Sequence, residues 1–166
     1  MKVNHVMLIA FASILLCSYE PVYEPETSYK PILLTREKLE ASIQVSSARA
    51  LQNPGKIYMK ANYVYIVEKY KGIHIIDNQD RSNPVNLKFI EVPGCVDLAI
   101  KGNTLYADNA VDLVAISISS LSNVSVTQRI KNTFPDLYPP DMDYLPYEYS
   151  QDKRPNNTII VAWEPK

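Results

Sequence analysis

An all-β fold of two four-stranded antiparallel blades of propeller type, preceded by a short helix, is what this 166-residue sequence predicts. Three observations lead there. Residues 56–93 recur loosely as residues 97–132: Lys60 falls on Lys101, Asn62 on Asn103 and Tyr65 on Tyr106 at an offset of 41, and Asn83 falls on Asn123 at an offset of 40. A period of about 40 residues built from strand formers is blade spacing. Each copy divides into four short runs of β-branched and aromatic residues separated by turn residues. Twelve Tyr and twelve Pro against four Gly describe a tyrosine-studded β protein with extended connections. A blade of this kind cannot bury its own apolar face, so it stacks on a neighbour.

The elements follow in order. Residues 1–16 read as a secretory signal, with Lys2 ahead of an uninterrupted apolar run that is too short to span about 30 Å of hydrocarbon. Residues 17–34 are polar, rich in Tyr, Pro and Glu, and read as an extended or disordered tether. In the lead-in, residues 35–52, Thr35 caps a helix reaching about residue 44, with Leu39 and Ile43 on one face and Glu37 in the first turn. The first repeat, residues 53–94, opens on Asn53, Pro54 and Gly55 and gives strands at 56–60, 63–68, 72–77 and 87–92. Its Tyr63, Tyr65 and Val67 take one side of the sheet, and Val64 and Ile66 the other. The second repeat, residues 95–132, gives strands at 96–101, 104–108, 112–118 and 124–130, with Gly102 and Asn103 at its tight turn. Residues 133–157 show no recognisable element, and residues 158–163 have the character of one more strand.

Propellers close with four to eight blades, and two leave apolar faces and strand edges uncovered. Three outcomes are open: the chain is part of a longer propeller, it self-associates through its open blade edges, or the helix and the Tyr/Pro segment cap it. Capping is the preferred account for a monomer.

Two resemblances bear on function. The apolar run closing on Cys17 resembles the lipobox of bacterial lipoproteins, which implies that Cys17 is acylated and becomes a membrane anchor worth about 0.8 kcal/mol per buried methylene. Leu16 stands where that motif carries a small residue, and cleavage among residues 10–13 is the alternative. The segments Y-K-G-I-H-I-I-D-N, P-G-C-V-D-L-A-I-K-G-N-T-L-Y-A-D and D-L-V-A-I-S-I-S resemble the LVIVD repeats of bacterial envelope lipoproteins, and K-P-I-L-L-T-R-E-K-L resembles their lead-in. The second copy departs at Ser117, Leu121 and Val124, where an aspartate and loop prolines are the pattern. The resemblance implies an envelope β-propeller of unassigned activity, on the outer membrane if lipidated and otherwise secreted or periplasmic, with no catalytic residues to carry over.

The residue inventory offers little chemistry. G-x-S-x-G, H-E-x-x-H, the Walker loop and C-x-x-C are all absent from the sequence. Asp108 and Asp112 flank a strand connection, where an acid/base pair of a hydrolase or glycan-processing accessory competes with ordinary turn chemistry. Asp136, Asp141, Asp143 and Glu148 match no calcium-loop spacing and read as a solvated loop. Cys95 reads as a buried structural thiol, since a nucleophile would need His74 beside it. Tyr138, Tyr144, Tyr147 and Tyr149 are the recognition candidates, balanced against a role as cover for an open blade face. A net charge of −1 without a basic block argues against nucleic acid. The sequence therefore predicts a non-enzymatic interaction or scaffold module without cofactor or metal, partnered by a membrane and by a protein or glycan; a nonfunctional fragment of a larger propeller is the other alternative.

Overall fold

The computed structural model describes residues 26–166; the signal segment, Cys17 and the tether up to residue 25 lie outside the described residues. The elements are β1 (Tyr29–Thr35), α1 (Arg36–Glu40), β2 (Gln44–Ser47), β3 (Pro54–Lys60), β4 (Tyr63–Glu68), β5 (Gly72–Asp77), β6 (Val85–Glu91), β7 (Leu98–Lys101), β8 (Thr104–Asn109), β9 (Asp112–Ser117), β10 (Ser125–Ile130) and β11 (Thr158–Pro165). They form an antiparallel five-stranded sheet β2-β6-β5-β4-β3, a four-stranded sheet β10-β9-β8-β7 and a two-stranded sheet β1-β11. The two larger sheets are the blades, so the fold is all-β and propeller-like as the repeat predicts. Among the described residues no helix is long and apolar enough to cross a membrane.

Three details differ from the sequence expectations. The helix stops at Glu40, because only Leu39 and Ile43 recommended its extension. The Ser42 hydroxyl bonds back to the Leu39 carbonyl at 2.7 Å, and residues 44–47 instead pair with β6 from Gln44↔Glu91 to Ser47↔Lys88. A ladder supplied by a neighbouring strand outweighs one weak helical turn, and it makes the first blade five-stranded. Residues 29–34, read as tether, belong to β1, which runs against β11 from Tyr29↔Pro165 to Thr35↔Thr158. The final strand thus joins neither blade and closes the described chain end to end.

The blades dock face to face. Tyr65, Val67, Ile73, Ile75 and Ile90 of the first blade share one core cluster with Leu98, Ile100, Leu105, Ala107, Val114 and Ile116 of the second. Both copies keep the same internal register, with Tyr63 opposite Asp77 and Thr104 opposite Ser117. Tyr65 therefore corresponds to Tyr106, yet Tyr65 is buried in the interface and Tyr106 lies on the far side of the second blade. Equivalent faces point the same way, which is the arrangement of successive propeller blades rather than of a mirror-related sandwich. The first strands of the repeats lie side by side: the Tyr58 hydroxyl donates to the Ile100 carbonyl at 3.0 Å, and the Lys60 ammonium donates to the Gly102 carbonyl.

A carboxylate late in each blade's second strand pins the loop leading into that blade. Glu68 accepts from the amides of Gln52 and Asn53, and Asp108 from those of Val96 and Asp97. Gly94 sits in the linker between blades at φ 81°, where an added Cβ would meet Ala110 at 2.6 Å.

The terminal sheet and α1 cover one end of the second blade. Leu39, Ala110, Val111, Ile159 and Val161 form a second cluster there. Asp112, with its side chain wholly buried, ties it down: it accepts from Arg36 at 2.7 Å, from Arg129 at 2.7 Å and from the Asn132 amide at 3.0 Å. Burial alone would raise its pKa, but the bonds from Arg36, Asn132 and Arg129 outweigh that and hold the carboxyl below the ordinary aspartate range. A depressed folded-state pKa stabilises fully above the unfolded aspartate value of about 3.9 and is lost as pH falls through the lower folded value. Asp112→Asn should cost about 3 kcal/mol at neutral pH and flatten the fall in stability below about pH 4. Urea titrations across pH check it; an unchanged acid limb with a loss under about 1 kcal/mol would contradict this role.

Candidate functional site

The face of the second blade that would receive a further blade is only partly filled. In the first blade that face carries Tyr58, Tyr65, Val67 and Ile75, packed against the second blade. The equivalent positions in the second blade are Ala99, Tyr106, Asp108 and Ala115. Smaller side chains leave room, and the segment that follows β10 arches over it. The Phe134 amide donates to the Val111 carbonyl at 2.9 Å, and the Trp163 indole donates to the Leu137 carbonyl at 3.1 Å, fixing this arch at two points. Between floor and arch lies a cavity of about 460 Å³, open on one side and lined by residues including Ala99, Tyr106, Leu113, Phe134, Leu137 and Tyr138. That size is within the range of small-ligand sites. Tyr106, Phe134 and Tyr138 keep 37%, 39% and 42% of their surface exposed, so aromatic rings remain available to a ligand.

The polar groups of the cleft are Lys56, Asp97, Asp108 and Asp136. Lys56 and Asp97 pair at 2.8 Å while both stay largely exposed. Asp136 is gripped by the buried guanidinium of Arg154 at 2.8 Å. Asp108 is occupied by two backbone amides; burial raises its pKa more than those bonds lower it.

The sequence-derived candidates fall into separate places. Asp108 lines the cleft and Asp112 belongs to the Arg36/Arg129 knot, so each carboxylate has its own structural partners. Cys95 is fully buried, its thiol donating to the Asp97 carbonyl at 3.5 Å. Burial first, and then the neighbouring Asp108 charge, push that thiol well up in pKa, which keeps it protonated and inert. His74 is engaged by Glu68 at 3.2 Å and by Asn86 instead of Cys95. Asp141 receives the Thr27 hydroxyl and the Ser28 amide, and Glu148 faces Lys166. Among the described residues no group of three or more His, Cys, Asp or Glu is placed to hold a metal ion.

The four tyrosines divide. Tyr138 lines the cleft. Tyr149 acts as cover, packed edge-on against Trp163 at 5.3 Å with its hydroxyl toward the Tyr29 carbonyl at 3.4 Å. Tyr147, in a single 3-10 turn (Tyr147–Tyr149), is 61% exposed under the Lys153 ammonium. Tyr144 lines a shallow hollow beside Met142 and Asp143.

A family model for the LVIVD repeat matches residues 55–91 and again residues 95–131. Both stretches are therefore similar to the LVIVD repeat. The first match covers β3 to β6, four of the five strands of its blade, and the second covers β7 to β10, the whole of its blade. No curated protein and no solved structure matches the chain. The cleft is then a composite: its floor belongs to the second matched stretch, and its arch, residues 134–138, lies beyond the matched region.

Sequence reasoning named Tyr138 and Asp108 but missed the rest of the floor. The signal was present in the aligned LVIVD copies, where Tyr58 becomes Ala99 and Val67 becomes Asp108. Alanine substitutions separate cover from site. Tyr149→Ala should lower unfolding free energy by about 2 kcal/mol, whereas Tyr138→Ala and Tyr147→Ala should stay within about 0.5 kcal/mol. Equal losses at all three positions would contradict the division.

Proposed function

We propose that the protein is a non-enzymatic recognition module of the bacterial cell envelope, held at a membrane by an acylated Cys17, with the cleft over its second LVIVD repeat as the place where a partner group is taken. The half-open, aromatic-walled cleft is the observation that carries this reading. Recognition is favoured over hydrolysis because Asp108 and Asp112 are spent on separate structural bonds and offer no free carboxylate pair to a scissile bond. Anchoring fits a small body of this kind, because the acyl chains supply membrane affinity that the blades need not provide.

Two comparisons test the two halves of the proposal. Ala99 is an exposed strand residue on the cleft floor, so Ala99→Phe fills the cleft while sparing the core. A ligand-observed NMR screen of mixed amines, acids, alcohols and saccharides against the full chain should give hits that this variant loses; hits that survive it, or none, would overturn the cleft as the site. The full-length chain produced in bacteria should carry acyl mass on its amino terminus and partition with membranes, and Cys17→Ser should move to the soluble fraction. Soluble, unacylated wild-type protein would overturn the anchor.

A further inference from the structure

Resting on the reading of the cleft as a recognition site, we infer that its ligand is a small amphiphilic cation, with an apolar or aromatic body lying between Tyr106 and the arch of residues 134–138 and an ammonium or guanidinium end that takes the place of Lys56 at Asp97.

The cleft's charge and wall chemistry select this class. Its lining carries Asp97, Asp108 and Asp136 against Lys56 alone, so an anionic ligand meets repulsion and no free cation. Asp108 and Asp136 have their bonds already made, to the Val96 and Asp97 amides and to Arg154. Asp97 differs. Its side chain is 61% exposed, and its partner Lys56, at 2.8 Å, is 50% exposed. A solvent-exposed pair of this kind contributes little, so an incoming cation exchanges with Lys56 at almost no net cost. Above that carboxylate the walls are apolar and aromatic, which suits a hydrocarbon body and penalises a saccharide, whose hydroxyls would lose water without finding partners. The half-exposed rings of Tyr106, Phe134 and Tyr138 add attraction for a cation that carries its charge close to an apolar surface. Such a group occurs on a free amine and on a Lys or Arg side chain next to an apolar residue in a peptide.

The test uses the full chain and four probes: 3-phenylpropylammonium, 3-phenylpropan-1-ol, 3-phenylpropionate and the capped dipeptide acetyl-Phe-Lys-amide. Trp163 is the single tryptophan and its indole bonds to Leu137 in the arch, so its emission reports occupancy. The ammonium should bind about fivefold to tenfold tighter than the alcohol, and the carboxylate weakest. Asp97→Asn keeps the side-chain oxygen that accepts from the Leu98 amide, and it should remove most of the ammonium's advantage over the alcohol, leaving only what the rings supply, without changing the alcohol's affinity. A dipeptide tighter than the amine identifies a peptide source, and the reverse a free amine; either order supports the class. Alcohol binding as tightly as ammonium, or carboxylate binding tightest, overturns the cation while leaving the cleft as a site. Silence from all four probes, or responses that Ala99→Phe leaves intact, brings down the site itself.

Discussion

A four-stranded sheet of alternating residues has two faces and, alone, no interior. Everything else in this molecule follows from how the first blade's apolar face is removed from water. Tyr65, Val67, Ile73, Ile75 and Ile90 are each at most 2% exposed, and what covers them is Leu98, Leu105, Ala107, Val114 and Ile116 of the next repeat. Each large side chain buried this way contributes about 1.5–3 kcal/mol. Hydrogen bonds then set the register of the two blades: the Tyr58 hydroxyl on the Ile100 carbonyl, the Gly94 amide of the linker on the Tyr70 carbonyl, and the amides of Val96 and Asp97 on the Asp108 carboxylate.

Docking two equivalent units in the same orientation leaves one unmatched face at each end of the stack, and the chain treats the two ends differently. At the far side of the second blade, α1, the β1/β11 pair and the arch after β10 provide an atypical cover, fastened by Asp112 to Arg36 and Arg129. That cover is incomplete because the blade beneath it has lost bulk at Ala99, and the cleft is the remainder. At the near side of the first blade, Phe89 is closed over by Arg49, whose guanidinium lies 3.6 Å from the ring centroid, and by the buried His74/Glu68 pair. Further along the same face Ile57 and Met59 stay 59% and 63% exposed, at positions whose counterparts Leu98 and Ile100 are core.

Much of this was legible in the chain itself. Eight blade strands appear within a few residues of where period-two alternation and turn residues place them, since hairpins such as Ala61-Asn62 and Gly102-Asn103 are local signals. The position of Cys95 in the core was legible for the same reason. What stayed hidden depends on partners distant in sequence. Residues 29–34 read as a tether because their β-ladder is supplied more than a hundred residues later, by β11. Residues 44–47 read as the last residue of a helix and the lead-in beyond it because β6 is not adjacent in the chain. The cleft stayed hidden because it is a difference between two repeats, visible only once Tyr58 and Ala99 are known to hold equivalent places on successive blades, Tyr58 facing the second blade and Ala99 facing out of the stack. The four tyrosines, alike in composition, separate only through Trp163 and the arch.

The claim on which this account stands is that the two sequence repeats share one core and unfold as one body. Native-state hydrogen exchange tests it most directly. The account predicts that the amides of β4, β5, β8 and β9 exchange only through global unfolding, with the same opening free energy and the same denaturant dependence. Protection in β8 and β9 that collapses at a much lower free energy than in β4 and β5 would show that the blades stand independently, and would contradict it.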